Sequence, residues 1–379
     1  LLPPSDFLGY KLGDKFTPHH LVVDYLFHVS QNEPNVKIIE YGKTYEGRPL
    51  MLAFISSVDN MDKLEQIRKD NLTRAGIIKG STKTKKVGIV WLSYNVHGNE
   101  ANSTEAAMKT LHALADKSNI TTQEWLKNTV VIIDPSVNPD GRDRYANWYR
   151  MTANRWPDAD PLGREHMEPW PGGRTNHYYF DLNRDWAWQT QIESQQRIIK
   201  YNEWLPHIHV DFHEQGYNSP YFFAPAAKPL HQYITDWQRD FQKTIGLNHA
   251  KYFDRNNWLY FTKESFDLLY PSYGDTYPTY NGAIGMTYEQ AGHSRGGLAI
   301  ETEDGDTLTL ADRLEHHYTT GLSTIEVASK NVEKMVNEFS DFFNPNRKEL
   351  VDTFKSYVIT RSNPTCLLYT SPSPRDQCL

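Results

Sequence analysis

Two apolar strands joined by a helical segment limit the folds open to this chain more than any other feature. Residues 86–94 and 130–133 are mostly apolar and rich in β-branched residues, which is typical of strands buried on both faces. The segment between them has a helical pattern from about residue 101 to residue 115. Strand, helix and strand in this order are typical of an α/β protein with parallel strands in its sheet. We therefore expect an α/β fold whose sheet is covered by helices.

A histidine and a glutamate follow the first of these strands, in the run His97-Gly98-Asn99-Glu100. Open α/β sheets bind ligands at the C-terminal ends of their strands, and a tight turn places side chains three residues apart on one side. An imidazole nitrogen and a carboxylate oxygen are two of the three protein ligands of a catalytic zinc site, which leaves a position open for water. The alternative is an ordinary capped turn, because such a pair also arises by chance.

A later strand supplies candidates for a third metal ligand. Alternation along residues 207–214 places four polar side chains on one face: His207, His209, Asp211 and His213. Each of them is a possible ligand by composition. The C-terminal end of the strand is favoured, because His97 also lies at such an end. The sequence therefore predicts His213 as the third ligand.

The composition narrows the classes of function. The formal net charge is −7 and no basic run is present, which argues against general nucleic-acid binding. The longest apolar stretches, such as residues 130–133, are far too short to span a membrane. Aromatic residues make up 13% of the chain, and they suit either surface packing or a cleft that grips an extended ligand. We expect no nucleic-acid partner and no membrane span.

Both ends of the chain have features of a fragment. Cys366 and Cys378 are the only cysteines, and the run from Cys366 to Ser371 resembles a translated DNA-sequencing adapter. We therefore expect residues 366–379 to be non-native, which leaves no cysteine for disulfide or thiol chemistry. The chain starts at Leu1 without a methionine or a signal peptide, as expected of the middle of a longer reading frame.

In their order along the chain, these motifs resemble those of the zinc metallocarboxypeptidase family of the carboxypeptidase A type. His97 and Glu100 match its HxxE motif, and His213 matches its third zinc ligand after a strand. The turn Asn138-Pro139-Asp140-Gly141 also recurs in that family, and the resemblance covers roughly residues 15–330. It implies a carboxypeptidase-like fold of the phosphorylase/hydrolase-like type. Such a fold is a single large domain whose central twisted sheet mixes parallel and antiparallel strands between flanking helices.

The resemblance also implies roles for residues outside the metal set. Glu289 ends a Thr-Tyr-Glu strand similar to the one that presents the family's general base. Arg150 lies in a Trp-Tyr-Arg-Met-Thr segment similar to the one that carries its oxyanion-stabilising arginine. The family's mobile, substrate-binding tyrosine has no clean match here. Tyr270 is the first choice for it, and Tyr273 is the alternative.

Asp181-Leu182-Asn183-Arg184 resembles the family's motif for binding the substrate carboxylate. The guanidinium of Arg184 can make two parallel hydrogen bonds to a carboxylate, and Asn183 supplies a further donor. Asp181 is implied to accept a hydrogen bond from a zinc-bound imidazole and so to fix its tautomer. This motif predicts an exopeptidase that recognises a free C-terminus.

The function implied by the resemblance is that of a zinc-dependent metallocarboxypeptidase with one zinc ion per chain. It would hydrolyse the C-terminal peptide bond of peptides through a zinc-activated water, with Glu289 as general base. Two alternatives share the fold, namely a peptidase of cell-wall peptides and an amidohydrolase of acyl-amino acids. A catalytically dead module that binds peptide C-termini is a third alternative. The resemblance also suggests a secreted bacterial monomer, either extracellular or periplasmic.

We expect four segments along the chain. Residues 1–35 form an N-terminal extension that packs on the domain, and residues 36–330 form the catalytic domain. Residues 331–365 form a C-terminal helix that leads to a missing downstream region. Residues 366–379 are the adapter-derived tail.

Overall fold

Twelve strands form three sheets in the computed structural model, which describes residues 1–347. The strands are β1 (Val36–Lys43), β2 (Pro49–Ile55), β3 (Gly88–Tyr94), β4 (Thr129–Asp134), β5 (Ile208–Gln215), β6 (Tyr221–Phe222), β7 (Ala227–Leu230), β8 (Tyr260–Phe261), β9 (Asp267–Leu268), β10 (Ile284–Ala291), β11 (Ala299–Glu301) and β12 (Thr307–Thr309). Eight of them form the central sheet, in the order β1-β2-β4-β3-β5-β10-β6-β8. Strand β7 pairs with β9, and β11 pairs with β12.

The central sheet is mixed. Strands β4, β3, β5 and β10 run parallel to their neighbours in this part of the sheet. Antiparallel pairing joins β1 to β2, β2 to β4, and β10 to β6. Every residue of β3, β4 and β10 is buried, as expected of strands with helices on both faces. The prediction of a mixed sheet within an α/β domain is therefore confirmed.

Helices cover the two faces of the sheet. They are α1 (Pro4–Leu8), α2 (His19–Asn32), α3 (Val58–Met61), α4 (Leu64–Arg74), α5 (Asn102–Ala115), α6 (Ile120–Leu126), α7 (Pro139–Thr152), α8 (Ile192–Trp204), α9 (Asp236–Asn256), α10 (Thr276–Tyr280), α11 (Leu310–Lys330) and α12 (Val332–Phe342). Alternate residues of β3 face opposite layers. Val90 and Leu92 pack in the apolar cluster that includes α5, α9 and α11, whereas Ile89 and Trp91 pack in the cluster that includes α4 and α8. None of the helices within residues 1–347 is both long and apolar enough to cross a membrane.

The chain divides into the compact unit Leu1–Asn344 and a second unit, Pro345–Leu379, which lies almost entirely outside the described residues. Within the first unit, α1 and α2 belong to the predicted N-terminal extension and pack against α5. The predicted domain boundaries at residues 35 and 330 stay predictions. The predicted C-terminal helix is described only in its first part, as α12, and the adapter-like tail lies outside the described residues.

The parallel part of the sheet brings three chain segments together at one edge. Strand β5 lies between β3 and β10, so that the C-terminal ends of all three are neighbours. On β10, Glu289 is directly opposite His213 of β5. The turn after β3 carries His97 and Glu100. The edge predicted to bind a ligand therefore collects side chains from distant parts of the chain.

Candidate metal centre and active-site cavity

The turn after β3 is braced by Asn95. This residue has a φ of 62°, in the left-handed region that asparagine tolerates better than most residues. Its side-chain amide donates hydrogen bonds to the carbonyls of His97, Gly98 and Glu100, at 2.9, 3.3 and 3.1 Å. Because the chain reverses here with its carbonyls tied to one buried amide, the side chains of His97 and Glu100 both face β5.

Three buried side chains meet at this point. Glu100 Oε1 lies 2.7 Å from His97 Nδ1, and Glu100 Oε2 lies 3.0 Å from His213 Nδ1. The two Nδ1 atoms are 3.3 Å apart. Among the described residues, no other group of three or more histidine, cysteine or acidic side chains is placed to hold a metal ion. The structure therefore brings together the three residues predicted as ligands.

The geometry of the three residues fits zinc. Two histidines and one glutamate are the donor set of a known class of catalytic zinc sites. Ligands about 2.0–2.1 Å from a tetrahedral zinc ion are separated from one another by about 3.3 Å. The observed separation of the two imidazole nitrogens is 3.3 Å. The nitrogens thus already have the spacing that a shared metal ion requires.

The charges around the ligands keep two nearby carboxyl groups ionised. Burial by itself raises the pKa of Glu100, but the imidazoles of His97 and His213 outweigh it and hold this pKa well below the ordinary value. Asp181 Oδ1 lies 3.0 Å from His97 Nε2. Burial likewise raises the pKa of Asp181, but His97 and nearby arginines bring it well below its usual range. An ionised Asp181 accepts the proton on Nε2, which leaves the Nδ1 lone pair of His97 free for a metal.

A cavity of about 390 Å³ opens beside the three ligands. Its lining includes both the ligands and further residues with polar or aromatic side chains: Arg174, Asn183, Arg184, Tyr273, Asp275 and Glu289. Three of the residues predicted for substrate binding and catalysis, Asn183, Arg184 and Glu289, are therefore in the same cavity. Two others, Arg150 and Tyr270, do not line it.

Glu289 is a buried carboxylate on β10 that lines the cavity. Burial raises its pKa well above the ordinary value, His213 opposes that rise, and Glu100 adds to it. A divalent cation held by the three ligands would lower this pKa again. The position of Glu289 therefore suits a carboxylate that accepts a proton once a metal is bound and can return it later.

Asn183 and Arg184 lie in a short 3-10 turn that follows Asp181, and Asn183 Nδ2 is 3.3 Å from His213 Nε2. Asn183 Oδ1 accepts a hydrogen bond from the backbone amide of Gly274 at 2.7 Å. The guanidinium of Arg184 stacks over Tyr273 at 4.5 Å from the ring centre and is about half-exposed. Its nitrogens are therefore available to an anion that enters the cavity from solvent.

The structure does not bring Arg150 to the cavity. Arg150 is on α7, and its guanidinium donates to the carbonyl of Phe16 and to Asn147 Oδ1, at 2.8 and 3.0 Å. These contacts tie it to the N-terminal segment instead. Arg174 is the arginine that faces the metal site, since it donates to Asp181 Oδ2 at 3.0 Å and lies 3.5 Å from Glu100 Oε1.

No sequence pattern predicted Arg174 as a residue of the cavity, because it lies in a long segment without α-helices or strands. Three glycines, Gly98, Gly141 and Gly173, are the sequence feature that could have indicated where its loop docks. A Cβ atom on Gly98 would overlap the backbone of Gly141, and one on Gly141 would overlap the carbonyl of Gly173. The carbonyl of Arg174 accepts from Asn138 Nδ2 at 3.1 Å. Three glycines thus let this loop dock on the metal-binding turn, with backbone against backbone.

The Asn138-Pro139-Asp140-Gly141 run, predicted as a turn, starts helix α7. Asn138 caps the helix by accepting a hydrogen bond from the amide of Gly141 at 3.0 Å, and Pro139 is its first residue. The same asparagine also holds the loop of Arg174 through its Nδ2. One motif therefore ends a turn, begins a helix and positions a residue of the cavity.

Of the two tyrosine candidates, Tyr273 is in the cavity and Tyr270 is outside it. The hydroxyl of Tyr270 accepts a hydrogen bond from the indole of Trp188 at 2.8 Å, and its ring packs on Tyr273 at 4.9 Å. Tyr273 in turn supports Arg184. The placement favours the alternative residue over the first choice.

Three buried side chains that could hold a metal ion, at the C-terminal edge of an α/β sheet and beside a buried carboxylate, are typical of metal-dependent hydrolases. The sequence profile of a family described as zinc carboxypeptidase matches residues 22–249, which is more than half of the chain. The chain belongs to the zinc carboxypeptidase family, and the prediction of a metallocarboxypeptidase-type peptide hydrolase is confirmed. The match ends before Glu289, so the role of that residue is argued from the structure.

Solved structures share the fold at low sequence identity. A metallo-carboxypeptidase from Burkholderia cenocepacia has a TM-score of 0.53 and 16% identity, over 83% of this chain and 69% of that one. Carboxypeptidase A from Helicoverpa armigera has a TM-score of 0.54 and 17% identity, over 88% and 79%. Thrombin activatable fibrinolysis inhibitor has a TM-score of 0.58 and 14% identity, over 87% and 79%. No protein with a curated function has a significantly similar sequence.

Proposed function

We propose that this chain removes the C-terminal residue of peptides by zinc-dependent hydrolysis. The observation that carries the proposal is one cavity that holds both a candidate hydrolytic centre and a carboxylate-binding pair. His97, Glu100 and His213 line it together with Asn183 and Arg184. A substrate whose terminal carboxylate is held by Arg184 would present its last peptide bond to the centre.

Each residue of the cavity has a defined task in this proposal. Zinc, when bound by the three ligands, supplies Lewis-acid chemistry and lowers the pKa of water toward neutrality. Glu289 takes a proton from the water that attacks the scissile carbonyl, and it then donates a proton to the leaving amine. Arg174, which reaches Glu100 and Asp181, stabilises negative charge that develops on the carbonyl oxygen. Tyr273 supports the guanidinium of Arg184.

Amidation of the substrate C-terminus tests the exopeptidase assignment. Wild-type protein is expected to cleave a free-acid peptide at least about 10²-fold more efficiently than its C-terminal amide, because hydrogen bonds to a charged carboxylate are lost. Arg184→Ala should show a similar loss with the free acid and little further loss with the amide. Arg255→Ala, at an arginine outside the cavity, is the control and should behave like wild type. Mass spectrometry of the products measures each rate. Equal cleavage of acid and amide by wild type would leave an endopeptidase.

We assign the oxyanion-stabilising role to Arg174 instead of Arg150, and a pair of alanine variants tests this assignment. Arg174→Ala should lower kcat by about 10²–10³-fold, the usual loss for one donor to an oxyanion. Arg150→Ala should stay within a few-fold of wild type, because its guanidinium is hydrogen-bonded to Phe16 and Asn147 and does not line the cavity. Zinc content is measured for both, since Arg174 also contacts Glu100. A larger kcat loss in Arg150→Ala than in Arg174→Ala would restore the first assignment.

Three features of the proposal concern the protein as a whole. We propose one zinc ion per chain, because residues 1–347 hold a single group of suitable ligands. A monomeric state and an extracellular or periplasmic location stay predictions. Metal analysis, light scattering and cell fractionation of the native host would check them in turn.

A further inference from the structure

Asp211 is a buried carboxylate with one close partner. It lies on β5 two residues before His213, on the same face of the strand, and its side chain has no exposed surface. Asp211 Oδ2 is 2.9 Å from His213 Nε2. Among residues 1–347, no side-chain or backbone group makes an aligned hydrogen bond to either of its oxygens, so the contact with His213 is a close ionic approach. A carboxylate buried without other donors depends strongly on this imidazole.

The loop that carries Gly274 makes room for this carboxylate. A Cβ atom on Gly274 would overlap Asp211 Oδ2 and would lie 2.9 Å from Trp186 Nε1. The backbone of Gly274 does not have a positive φ, so its conformation is open to any residue. Its amide is held by Asn183 Oδ1 at 2.7 Å, which fixes the loop against β5. The absence of a side chain is therefore required for space and not for backbone conformation.

We propose that Asp211 is a positioning residue for His213 and that Gly274 is needed because it leaves space for the Asp211 carboxylate. The Asp211 carboxylate lies against His213 Nε2 and holds the ring with Nδ1 toward Glu100 and His97. Each metal-binding histidine then has its own carboxylate, Asp181 for His97 and Asp211 for His213. Such partners raise ligand basicity and hold the ring in one orientation. The inference rests on the proposed zinc site, but not on the choice of substrate.

Zinc affinity of the Asp211→Asn variant tests the proposal without any activity assay. Competition with a fluorescent zinc chelator should show an affinity about 10–100-fold below that of wild type, the usual loss when such a partner is removed. The matched control is Asp134→Asn, at an equally buried strand carboxylate that accepts a hydrogen bond from Tyr41 and contacts no ligand. This control should keep wild-type affinity. The visible spectrum of the cobalt(II)-substituted protein should change in Asp211→Asn alone, because only there does the ligand field change.

Gly274→Ala is a second way to disturb the contact between Asp211 and His213. It should weaken zinc binding in the wild-type background, because the new methyl group pushes the Asp211 carboxylate away from His213. In an Asp211→Ala background the same change should add less than about a twofold loss, since no carboxylate is left to displace. Unfolding temperatures of the metal-free variants identify any that fail to fold.

Two results would overturn the proposal. One is wild-type zinc affinity and an unchanged cobalt spectrum in Asp211→Asn. The other is an equal loss of affinity in Asp211→Asn and Asp134→Asn, which would mean that any buried carboxylate of the sheet has the same effect. Failure of the proposed function is recognised separately: the wild-type protein would bind zinc with the expected dependence on Asp211 and still leave peptides uncut.

Discussion

Glu289→Gln is expected to lower kcat by about 10²–10⁴-fold, the usual contribution of a positioned general base, with little change in KM. Glutamine has nearly the same shape as glutamate but cannot accept the proton of the attacking water. Glu289 is buried in the wall of the cavity and is opposite His213 across β5 and β10. It therefore acts where charge develops and not where the substrate carboxylate is held. Steady-state kinetics on a free-acid peptide measure both constants.

Two further measurements make the Glu289 result specific. Zinc content should be unchanged in Glu289→Gln, because Glu289 is not one of the three ligands. Glu303→Gln, at an exposed glutamate outside the cavity, should keep wild-type kcat. If Glu289→Gln stays within tenfold of wild type, another group is the base. His293 would then be the next candidate, because its Nε2 lies 3.9 Å from Glu100 Oε1.

His213→Ala is expected to remove most of the bound zinc and with it nearly all hydrolytic activity. The variant leaves two protein ligands where a catalytic zinc site normally has three. It also leaves Asp211 buried without its imidazole partner, which lowers the stability of the fold as well. Metal analysis after dialysis against a chelator measures the zinc, and circular dichroism verifies that the variant is folded.

The control for His213→Ala is a second histidine on the same strand. His209 is buried against Trp186, with ring centres 5.1 Å apart, and it contacts none of the three ligands in the described part of the chain. His209→Gln should therefore retain zinc. Wild-type protein stripped by the chelator should regain activity when zinc is returned, whereas His213→Ala should not. Full zinc occupancy in His213→Ala would show that the wrong histidine was assigned.

The three residues of the candidate zinc site could be predicted from the sequence because their signals are local. The spacing of His97 and Glu100 after an apolar strand is visible within a few residues, and the position of His213 follows from strand alternation. Neighbouring parallel strands have their C-terminal ends at the same edge of the sheet, and this does not depend on the conformation of the loops. The family resemblance added Asn183, Arg184 and Glu289, and the structure places all three in the same cavity.

Arg150 and Tyr270 show where local patterns were insufficient. Each was chosen from a local motif, but neither lines the cavity and each side chain has other partners: Phe16 and Asn147 for Arg150, and Trp188 for Tyr270. Which arginine reaches the cavity depends on how a long loop docks on the metal-binding turn. That docking depends on contacts between glycines that are far apart in sequence.

The sequence by itself determined the α/β class, the candidate metal ligands and the kind of chemistry, because periodicity and short motifs express these properties over a few residues. Only the tertiary structure decided that Arg174 faces the metal site, that Tyr273 lines the cavity and that Asp211 lies against His213. These three facts are distances between side chains that depend on the docking of loops and strands. Such distances follow from close backbone approach and buried charge pairing, and no local sequence pattern specifies them.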